Sequence, residues 1–281
     1  MKIISSIAQM QSWSCRAHRQ GKSIGFVPTM GCLHQGHLSL IRRSLKENDL
    51  TVVSIFVNPA QFGPGEDFKR YPRNFRRDSH LCRENGVDIL FHPGVRAMYP
   101  DEYKTYVEVE GLSNVLCGVS RPGHFRGVST VVLKLLQIVW PQRAYFGQKD
   151  AQQALVIRQM VKDLNLAVKI KILPIIRERD GLAMSSRNSY LDAGQRKEAI
   201  ILYSALQTAV GMIKSGHRAP REIIARMREM ISKTPGARID YIKIVQSDSL
   251  KEASVIKGRL LIALAVYFGS TRLIDNLTIK V

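Results

Sequence analysis

A chain of 281 residues is long enough for one large domain or two smaller ones, and its 45% hydrophobic and 23% charged residues are typical of a soluble globular protein. No signal peptide is recognisable, and the most apolar stretch, residues 260–268, is too short to span a bilayer, so we predict no membrane association. The net charge of +19 raises the question of nucleic-acid binding, but the cations are spread along the chain without an arginine-rich arm or basic–aromatic alternation, so we expect no nucleic-acid partner.

The first elements of the chain form a strand, a glycine-bearing turn and a helix. Residues 1–21 are predicted to be a helix, and residues 23–27 a strand that stops at Pro28, because proline cannot donate to a ladder. Gly31 and Gly36 allow a tight turn, and apolar spacing predicts a helix over residues 36–46. Such a turn places free N–H groups and the positive end of the helix dipole outward, where an anion binds.

Two histidines, His34 and His37, lie in this turn three residues apart, a spacing that aims both rings the same way at a helix start. The turn matches neither common phosphate-binding glycine motif, and it lacks the spacing of zinc hydrolases. Paired imidazoles at a helix N-terminus suit contact with nucleotide phosphates, where they would donate hydrogen bonds to a leaving pyrophosphate during adenylyl transfer.

Strands and helices then alternate as far as about residue 175. The predicted strands cover residues 50–57, 87–91, 105–109, 143–146 and 168–173, and the predicted helices cover residues 75–85, 128–139 and 152–164. The fold class that follows is α/β, a Rossmann-like doubly wound parallel sheet.

Polar side chains follow the carboxyl ends of several of these strands, which is where ligands bind in open parallel sheets. Gln61 follows the second predicted strand, and Gly147, Gln148, Lys149 and Asp150 close a later one. Lys149 suits a phosphate and Asp150 a ribose hydroxyl, while Gln153 would face the same crevice. Two hydroxyls and a guanidinium in residues 184–187 form a plausible clamp on triphosphate oxygens.

From Asp192 the pattern changes to helices followed by strands. Helices are predicted over residues 193–214 and 220–232, and strands over residues 239–245, 258–266 and 271–279. We therefore predict two domains: residues 1–175 as a Rossmann-like nucleotide-binding domain, and residues 176–281 as a smaller α+β C-terminal domain covering the active site.

Several motifs, in this order, resemble those of the pantothenate synthetases (pantoate–β-alanine ligases), which belong to the H-x-G-H nucleotidylyltransferase superfamily. They read P-T-M-G-x-L-H-x-G-H from Pro28, S-I-F-V-N-P-x-Q-F from Ser54, S-R-P-G-H-F-R-G-V from Ser120, F-G-x-K-D-x-Q-Q from Phe146, D-G-L-A-M-S-S-R-N from Asp180 and R-L-I-D-N from Arg272. The resemblance implies an ATP- and Mg²⁺-dependent ligase that joins pantoate to β-alanine through pantoyl adenylate, releasing AMP and pyrophosphate, and that works as a homodimer. It also implies that the domain of residues 1–175 binds pantoate as well as the nucleotide.

The resemblance also implies roles for residues at matching positions. His37 would be the proton donor with His34 beside it, Lys149 would reach phosphate, and Gln61 and Gln153 would hold pantoate, with Gln61 also bordering the β-alanine site. The implied ATP-binding residues are Met30, Gly31, Cys32, Leu33, His34, Gln35, Gly36, His37, Gly147, Gln148, Lys149, Asp150, Ile176, Met184, Ser185, Ser186 and Arg187.

Two departures from the family pattern bear on the metal. Gln148 and Gln35 stand where many members carry an acidic residue, and each change removes a negative charge near the nucleotide. Asp78, a carboxylate at a position that matches the family, is the candidate metal ligand.

Two alternatives stay open. The nearer is a nucleotidylyltransferase of the same fold that releases a stable adenylylated or cytidylylated product, and the other is a nucleic-acid-binding protein, suggested by the charge. The four cysteines lack Cys-x-x-Cys spacing, which favours free thiols in a reducing cytoplasm.

Overall fold

A computed structural model describes all 281 residues, and the chain divides into two units. The first unit comprises Met1–Asn114, Arg121–Gly147 and Gln153–Pro174, and the second comprises Val115–Ser120, Gln148–Gln152 and Ile175–Val281. The main division therefore falls between residues 174 and 175, and two short earlier segments belong to the second unit.

The regular elements are nine strands and ten α-helices. The strands are β1 (Lys2–Ile4), β2 (Ile24–Thr29), β3 (Leu50–Ile55), β4 (Ile89–Phe91), β5 (Arg143–Gly147), β6 (Lys169–Leu173), β7 (Ala237–Gln246), β8 (Arg259–Phe268) and β9 (Thr271–Lys280). The helices are α1 (Ile7–Arg19), α2 (Gln35–Glu47), α3 (Phe75–Glu84), α4 (Val95–Met98), α5 (Cys117–Ser120), α6 (His124–Val139), α7 (Ala151–Asp163), α8 (Ala193–Glu198), α9 (Ile201–Lys214) and α10 (Pro220–Ser232). No helix is both long enough and apolar enough to cross a membrane.

The first unit contains a six-stranded parallel sheet in the order β1-β4-β3-β2-β5-β6, which confirms the predicted doubly wound fold. The central strands are buried on both faces, and Phe26, Val52 and Leu90 have no exposed surface. The strand order reverses direction at β2, whose neighbours are β3 and β5. Such a switch point is where open α/β sheets bind ligands, at the carboxyl ends of the strands.

Two predictions about the first 30 residues are wrong. Residues 2–4 form the short edge strand β1, parallel to β4, and the helix starts only at Ile7 behind the Ser6 cap. Strand β2 also continues through Pro28, which lies opposite Ser54 of β3. The carbonyl of Thr29 accepts a hydrogen bond from Phe56 on the β3 side of the strand. Because neighbouring residues of a strand face opposite sides, the nitrogen of Pro28 faces β5. Pairing with β5 ends at Phe26, so the N–H that proline lacks leaves no observed ladder bond broken.

Two further predictions in the first unit fail because long-range contacts override the local pattern. Residues 105–109 alternate like a strand but form none, and the N–H of Val107 is bound instead by the hydroxyl of Thr130, at 3.0 Å. Helix α6 begins at His124 rather than residue 128, although Gly127 lies in its first turns. A Cβ on Gly127 would lie 2.1 Å from the carbonyl oxygen of Ala60, so the glycine allows α6 to approach that backbone.

The second unit contains the antiparallel sheet β7-β8-β9, against which α9 and α10 pack. Leu206 of α9, Met227 of α10 and Ile262 of β8 belong to its fully buried core, as the predicted α+β pattern requires. The predicted single helix over residues 193–214 is wrong, because it is divided into α8 and α9. At the junction, Leu202 and Tyr203 donate to carbonyls only three residues earlier, which tightens the chain and breaks the α-helical ladder.

Candidate active site

The residues predicted to act together are distributed over both units. In the first unit lie Met30, Gly31, Cys32, Leu33, His34, Gln35, Gly36, His37, Gln61, Asp78, Gly147 and Gln153. In the second lie Gln148, Lys149, Asp150, Ile176, Met184, Ser185, Ser186 and Arg187. Each group is described within its own unit.

The two histidines cap the start of helix α2 with their own side chains. His34 is the N-cap, and its Nδ1 accepts from the N–H of Gly36 at 3.1 Å, while Nδ1 of His37 accepts from the N–H of His34 at 3.3 Å. Imidazoles thereby replace the hydroxyl and carboxylate of an ordinary capping box. A Cβ on Gly36 would lie 2.8 Å from the His34 ring, so only glycine lets that ring fold back over the helix start.

These caps determine which ring nitrogen carries the proton. Because both Nδ1 atoms accept backbone hydrogen bonds, the neutral rings of His34 and His37 carry their hydrogens on Nε2. The ring centroids are 4.1 Å apart with a tilt of 43°, so the two imidazoles lie together as the spacing predicts. The start of α2 therefore presents two neighbouring side-chain donors.

The turn that precedes α2 is held by a buried carboxylate from α3. Asp78 is 1% exposed, and its two oxygens accept from the N–H groups of Cys32 (2.7 Å) and Leu33 (2.8 Å). Gly31 has a φ of +84°, and a Cβ there would meet Asp78 at 3.0 Å. Thr29 completes the turn, since its hydroxyl accepts from the N–H of Gly31 at 3.1 Å and donates to the carbonyl of Ser54 at 2.7 Å.

These contacts give Asp78 a positioning role. Its oxygens face the amides of the turn, and no group of three or more His, Cys, Asp or Glu side chains in the chain is arranged to hold a metal ion. Magnesium ligation by Asp78 therefore stays a prediction, and the described contacts explain its burial without a metal. The sequence did not reveal this role, because α3 is some 45 residues from the turn that it supports.

Gln61 is nearly buried, at 8% exposure, at the end of a short 3₁₀ turn that follows β3. Its amide nitrogen lies 3.0 Å from the sulfur of Met30, and its amide oxygen accepts from Asn58 at 3.2 Å. Asn58 is 1% exposed and also donates to the carbonyl of Gly127 at 3.1 Å. The structure thus joins Gln61 directly to the predicted nucleotide turn, and Asn58 orients its side chain.

The backbone of Gln61 is held by the loop and helix start that carry the arginine–histidine motif. His124 Nδ1 and Arg121 both contact the Gln61 carbonyl, at 2.8 and 3.2 Å, and Arg121 makes two 2.6 Å hydrogen bonds to Glu66. Burial favours the neutral form of Glu66, but the guanidinium of Arg121 outweighs it and lowers the pKa of that carboxyl below its ordinary value. Arg121 is therefore engaged in an ion pair within the first unit.

The other predicted residues of the first unit have less specific surroundings. Gly147 ends β5 opposite Leu173, Gln153 is half-buried on α7, and Gln35 is exposed and accepts from Arg42 at 3.3 Å. Nothing in their contacts identifies a ligand, so their assignments rest on the motifs.

In the second unit, Gln148–Asp150 forms a 3₁₀ turn bound to strand β9. The side-chain amide of Asn276 donates to the carbonyls of Gln148 and Lys149, each at 3.0 Å, and accepts from the Gln148 side chain at 3.1 Å. Nζ of Lys149 lies 3.6 Å from a carboxylate oxygen of Asp150. The side chain of Gln148, which replaces the acidic residue of many family members, is therefore used in holding this turn to β9.

The predicted triphosphate clamp lies beside a small cavity in the second unit. Ser185 caps the 3₁₀ turn Ser186–Tyr190 by accepting from the N–H of Arg187 at 3.2 Å, and Met184 donates to the carbonyl of Ile176 at 3.0 Å. Lys149 and Ser185 both line the cavity. The structure therefore brings together, within one unit, residues that the sequence placed about 35 positions apart.

Comparison with known proteins covers the whole chain. Residues 2–278 match the family model described as pantoate-beta-alanine ligase. A pantothenate synthetase of Caldicellulosiruptor saccharolyticus is 54% identical over 281 residues, covering all of both chains.

Solved structures of the same family are also similar to this chain. A crystal structure of pantothenate synthetase from Thermus thermophilus has a TM-score of 0.94 and 46% identity, covering 99% of each chain. The pantoate-beta-alanine ligase from Francisella tularensis, complexed with beta-gamma ATP and beta-alanine, has a TM-score of 0.82 and 38% identity, covering 99% of this chain and 97% of its own.

Proposed function

Since this chain belongs to the pantoate-beta-alanine ligase family, we propose that it catalyses the ATP-dependent condensation of (R)-pantoate with β-alanine to pantothenate. The observation that carries the proposal is the match along the entire length, which includes a relative whose structure holds beta-gamma ATP and beta-alanine. The matched region contains the sheet that carries the histidine turn and all but the last three residues of the second unit.

The reaction proceeds in two displacements. A carboxylate oxygen of pantoate attacks the α-phosphorus of ATP, and the bond to the bridging oxygen breaks, giving pantoyl adenylate and pyrophosphate. The amine of β-alanine then attacks the acyl carbon, the bond to AMP breaks, and the nitrogen loses a proton as the amide forms. Neither step needs a protein nucleophile, so catalysis depends on alignment and on charge around the phosphates.

The histidine turn suits the first displacement. His34 and His37 have Nε2–H donors fixed by their backbone hydrogen bonds, at the positive end of α2. Such preorganised donors stabilise negative charge as it develops on the leaving pyrophosphate. We assign His37 the main donor role, with His34 beside it, and assign the rest of residues 30–37 to ATP contacts.

The remaining assignments follow the motifs. Gln61 and Gln153 would hold pantoate through its hydroxyl and carboxylate oxygens, with Gln61 also bordering the β-alanine site. The nucleotide would be contacted by Gly147 and, in the second unit, by Gln148–Asp150, Ile176 and residues 184–187, with Lys149 on phosphate.

Magnesium fits this chain as an ion that enters with the nucleotide. Mg²⁺ is usually bound through one or two carboxylates together with substrate phosphates and water, and here no cluster of protein ligands would hold it alone. When bound, it would neutralise part of the phosphate charge. Asp150, half-exposed beside Lys149, is the carboxylate that we favour near this ion, because both oxygens of Asp78 already accept backbone hydrogen bonds.

A homodimer in the cytoplasm completes the proposal. The family implies the dimer, and four cysteines outside any disulfide suit a reducing compartment. Light scattering of the purified protein would give about twice the 31.7 kDa chain mass, whereas a monomer mass would reject the dimer.

The test is an assay with isotopically labelled pantoate, ATP and β-alanine, which should yield pantothenate and AMP in equal amounts. Pyrophosphate release without amide formation would reject the ligase and favour a nucleotidylyltransferase. His37→Ala should lower the adenylation rate about a hundredfold or more while leaving the KM for pantoate nearly unchanged. His80→Ala, at an exposed histidine of α3, is the matched control and should behave as wild type. Weakened pantoate binding with ordinary turnover at saturation would contradict the role of His37.

A further inference from the structure

The motif of residues 272–276 on β9 has no role in the chemistry above, although its last two residues are almost completely buried. Asp275 is 2% exposed and Asn276 is 3% exposed. Buried polar side chains cost free energy unless their hydrogen bonds are made, so their partners indicate what these residues do.

The hydrogen-bond partners of the Asn276 side chain all lie on one turn. Its side-chain nitrogen donates to the carbonyls of Gln148 and Lys149, and its side-chain oxygen accepts from the amide of Gln148. This uses both donors and one acceptor site of the amide. The backbone from which the Lys149 side chain projects is therefore fixed by a single residue of β9.

The partners of Asp275 lead to a second segment. Its carboxylate makes two hydrogen bonds to the guanidinium of Arg177, at 2.6 and 2.9 Å, and accepts from the N–H of Asn276 at 2.7 Å. The Arg177 guanidinium also donates to the carbonyl of Gly181 at 3.0 Å and lies over the ring of Tyr203, 4.1 Å from its centroid. Such a bidentate pair fixes orientation as well as distance.

Arg177 in turn begins the segment that carries the predicted triphosphate clamp. It forms an antiparallel bridge with Ala183, and the neighbouring Ile176 accepts from the N–H of Met184. Asp275, Lys149 and Ser185 line the same cavity. Two adjacent side chains of β9 thus bind two chain segments, Gln148–Asp150 and residues 176–187, at one place.

We propose that Asp275 and Asn276 are positioning residues that hold these two nucleotide-contacting segments in the geometry that ATP requires. The inference rests on the function proposed above, because that function assigns both segments to the nucleotide. Neither residue touches ATP; Asn276 acts through Lys149, and Asp275 acts through Arg177 and the segment that follows it. An amide is needed at position 276, since a carboxylate there would direct negative oxygens at two carbonyls.

The experiment measures binding of a non-hydrolysable ATP analogue with MgCl₂ by calorimetry, together with the KM values of all three substrates. Asn276→Asp keeps the size of the side chain but removes both donors, and it should raise the Kd for the analogue and the KM for ATP about tenfold or more. The KM for β-alanine should change less than twofold. Asp275→Asn, which weakens the pair with Arg177, should act in the same direction.

Thr278→Val is the matched control, because Thr278 is exposed on the same strand and contacts only the Gln148 side chain, at 3.4 Å, rather than the backbone of the turn. It should keep wild-type affinity. If Asn276→Asp does not give a cooperative thermal transition, Asn276→Ser, which retains one donor, replaces it and should give a smaller loss of nucleotide affinity.

The outcomes separate the two proposals. Unchanged nucleotide affinity in a folded Asn276 variant would overturn the positioning role. A loss of kcat without a change in the KM for ATP would overturn it too, because that is the result expected when a structural defect only lowers the fraction of active enzyme. If the wild type binds the analogue but makes no pantothenate, the ligase assignment fails, while the comparison of variants by calorimetry still decides the inference. If the wild type does not bind the analogue, both fail.

Discussion

The carboxylate of Asp78 offers a quantitative test of how the histidine turn is held. Asp78→Asn preserves size but replaces one acceptor oxygen with an NH₂ group, so only one of the N–H groups of Cys32 and Leu33 keeps its partner. A hydrogen bond to a charged group contributes about 1.5–3 kcal/mol, and an unsatisfied buried amide costs about 1–3 kcal/mol. Since Asp78 is 1% exposed and water has little access, we expect the free energy of unfolding to fall by about 2–4 kcal/mol.

The same substitution should affect catalysis through the position of the turn. A displacement of about 1 Å in a substrate-aligning segment costs up to about a hundredfold in rate, so kcat/KM for ATP should fall about tenfold to a hundredfold. The Mg²⁺ concentration that gives half-maximal activity should stay at its wild-type value, because the carboxylate acts on backbone amides. Urea unfolding and initial-rate kinetics at varied Mg²⁺ measure both effects.

Asp101→Asn controls for the loss of one negative charge from this basic chain, because Asp101 is exposed, and it should leave stability and rate unchanged. A rate defect in Asp78→Asn that high Mg²⁺ restores, with undiminished stability, would refute the positioning role and make Asp78 a metal ligand.

Three further predictions concern packing and pH in the two units. Gly127→Ala should prevent normal folding or greatly destabilise the first unit, because its Cβ would lie 2.1 Å from the Ala60 carbonyl oxygen, and a soluble variant with wild-type melting would contradict the packing of α6. Gly211→Ala, on α9 with no atom within 4 Å of the new Cβ, should raise the free energy of unfolding by about 0.5–1 kcal/mol in urea titrations, and destabilisation would show that α9 is more crowded than described. Glu66→Gln should destabilise the protein at neutral pH but have less effect below a pH of about 4. Because the pKa of Glu66 is lower in the folded than in the unfolded state, the ionised carboxylate stabilises the fold at a pH above its unfolded-state pKa. This contribution is lost as the pH falls through the folded-state pKa. A stability difference that does not vary between pH values of about 3 and about 7 would contradict the ion pair with Arg121.

The sequence predicts those parts of the structure that local patterns determine. The buried run of β3 and the apolar face of α2 were recognised within a few residues of their bounds, because burial on both faces or on one helical face leaves a direct periodicity. Residues 105–109 show the limit of this reasoning, since an alternating pattern does not guarantee a neighbouring strand. Gly127 shows another limit of prediction from sequence, because the local pattern does not distinguish a glycine that permits close packing from one that ends a helix.

The candidate site likewise has some features that the sequence predicts and others that only the structure shows. The proximity of His34 and His37 follows from their spacing, but the ring nitrogen that carries each proton follows from backbone contacts that only the structure shows. Asn276 is about 127 residues from the turn that it binds, so no local pattern connects them. A buried polar pair in a short motif was the available signal, and it becomes informative only once its partners are known.

Pro28 has a consequence for the shape of the first unit. Beyond Phe26 the edges of β2 and β5 are no longer bonded, and a residue without an N–H at the next position that faces β5 cannot extend the ladder. The two strands therefore stay unpaired beyond this point. No main-chain hydrogen bond joins them there, so a ligand bound at this end of the sheet would have none to break.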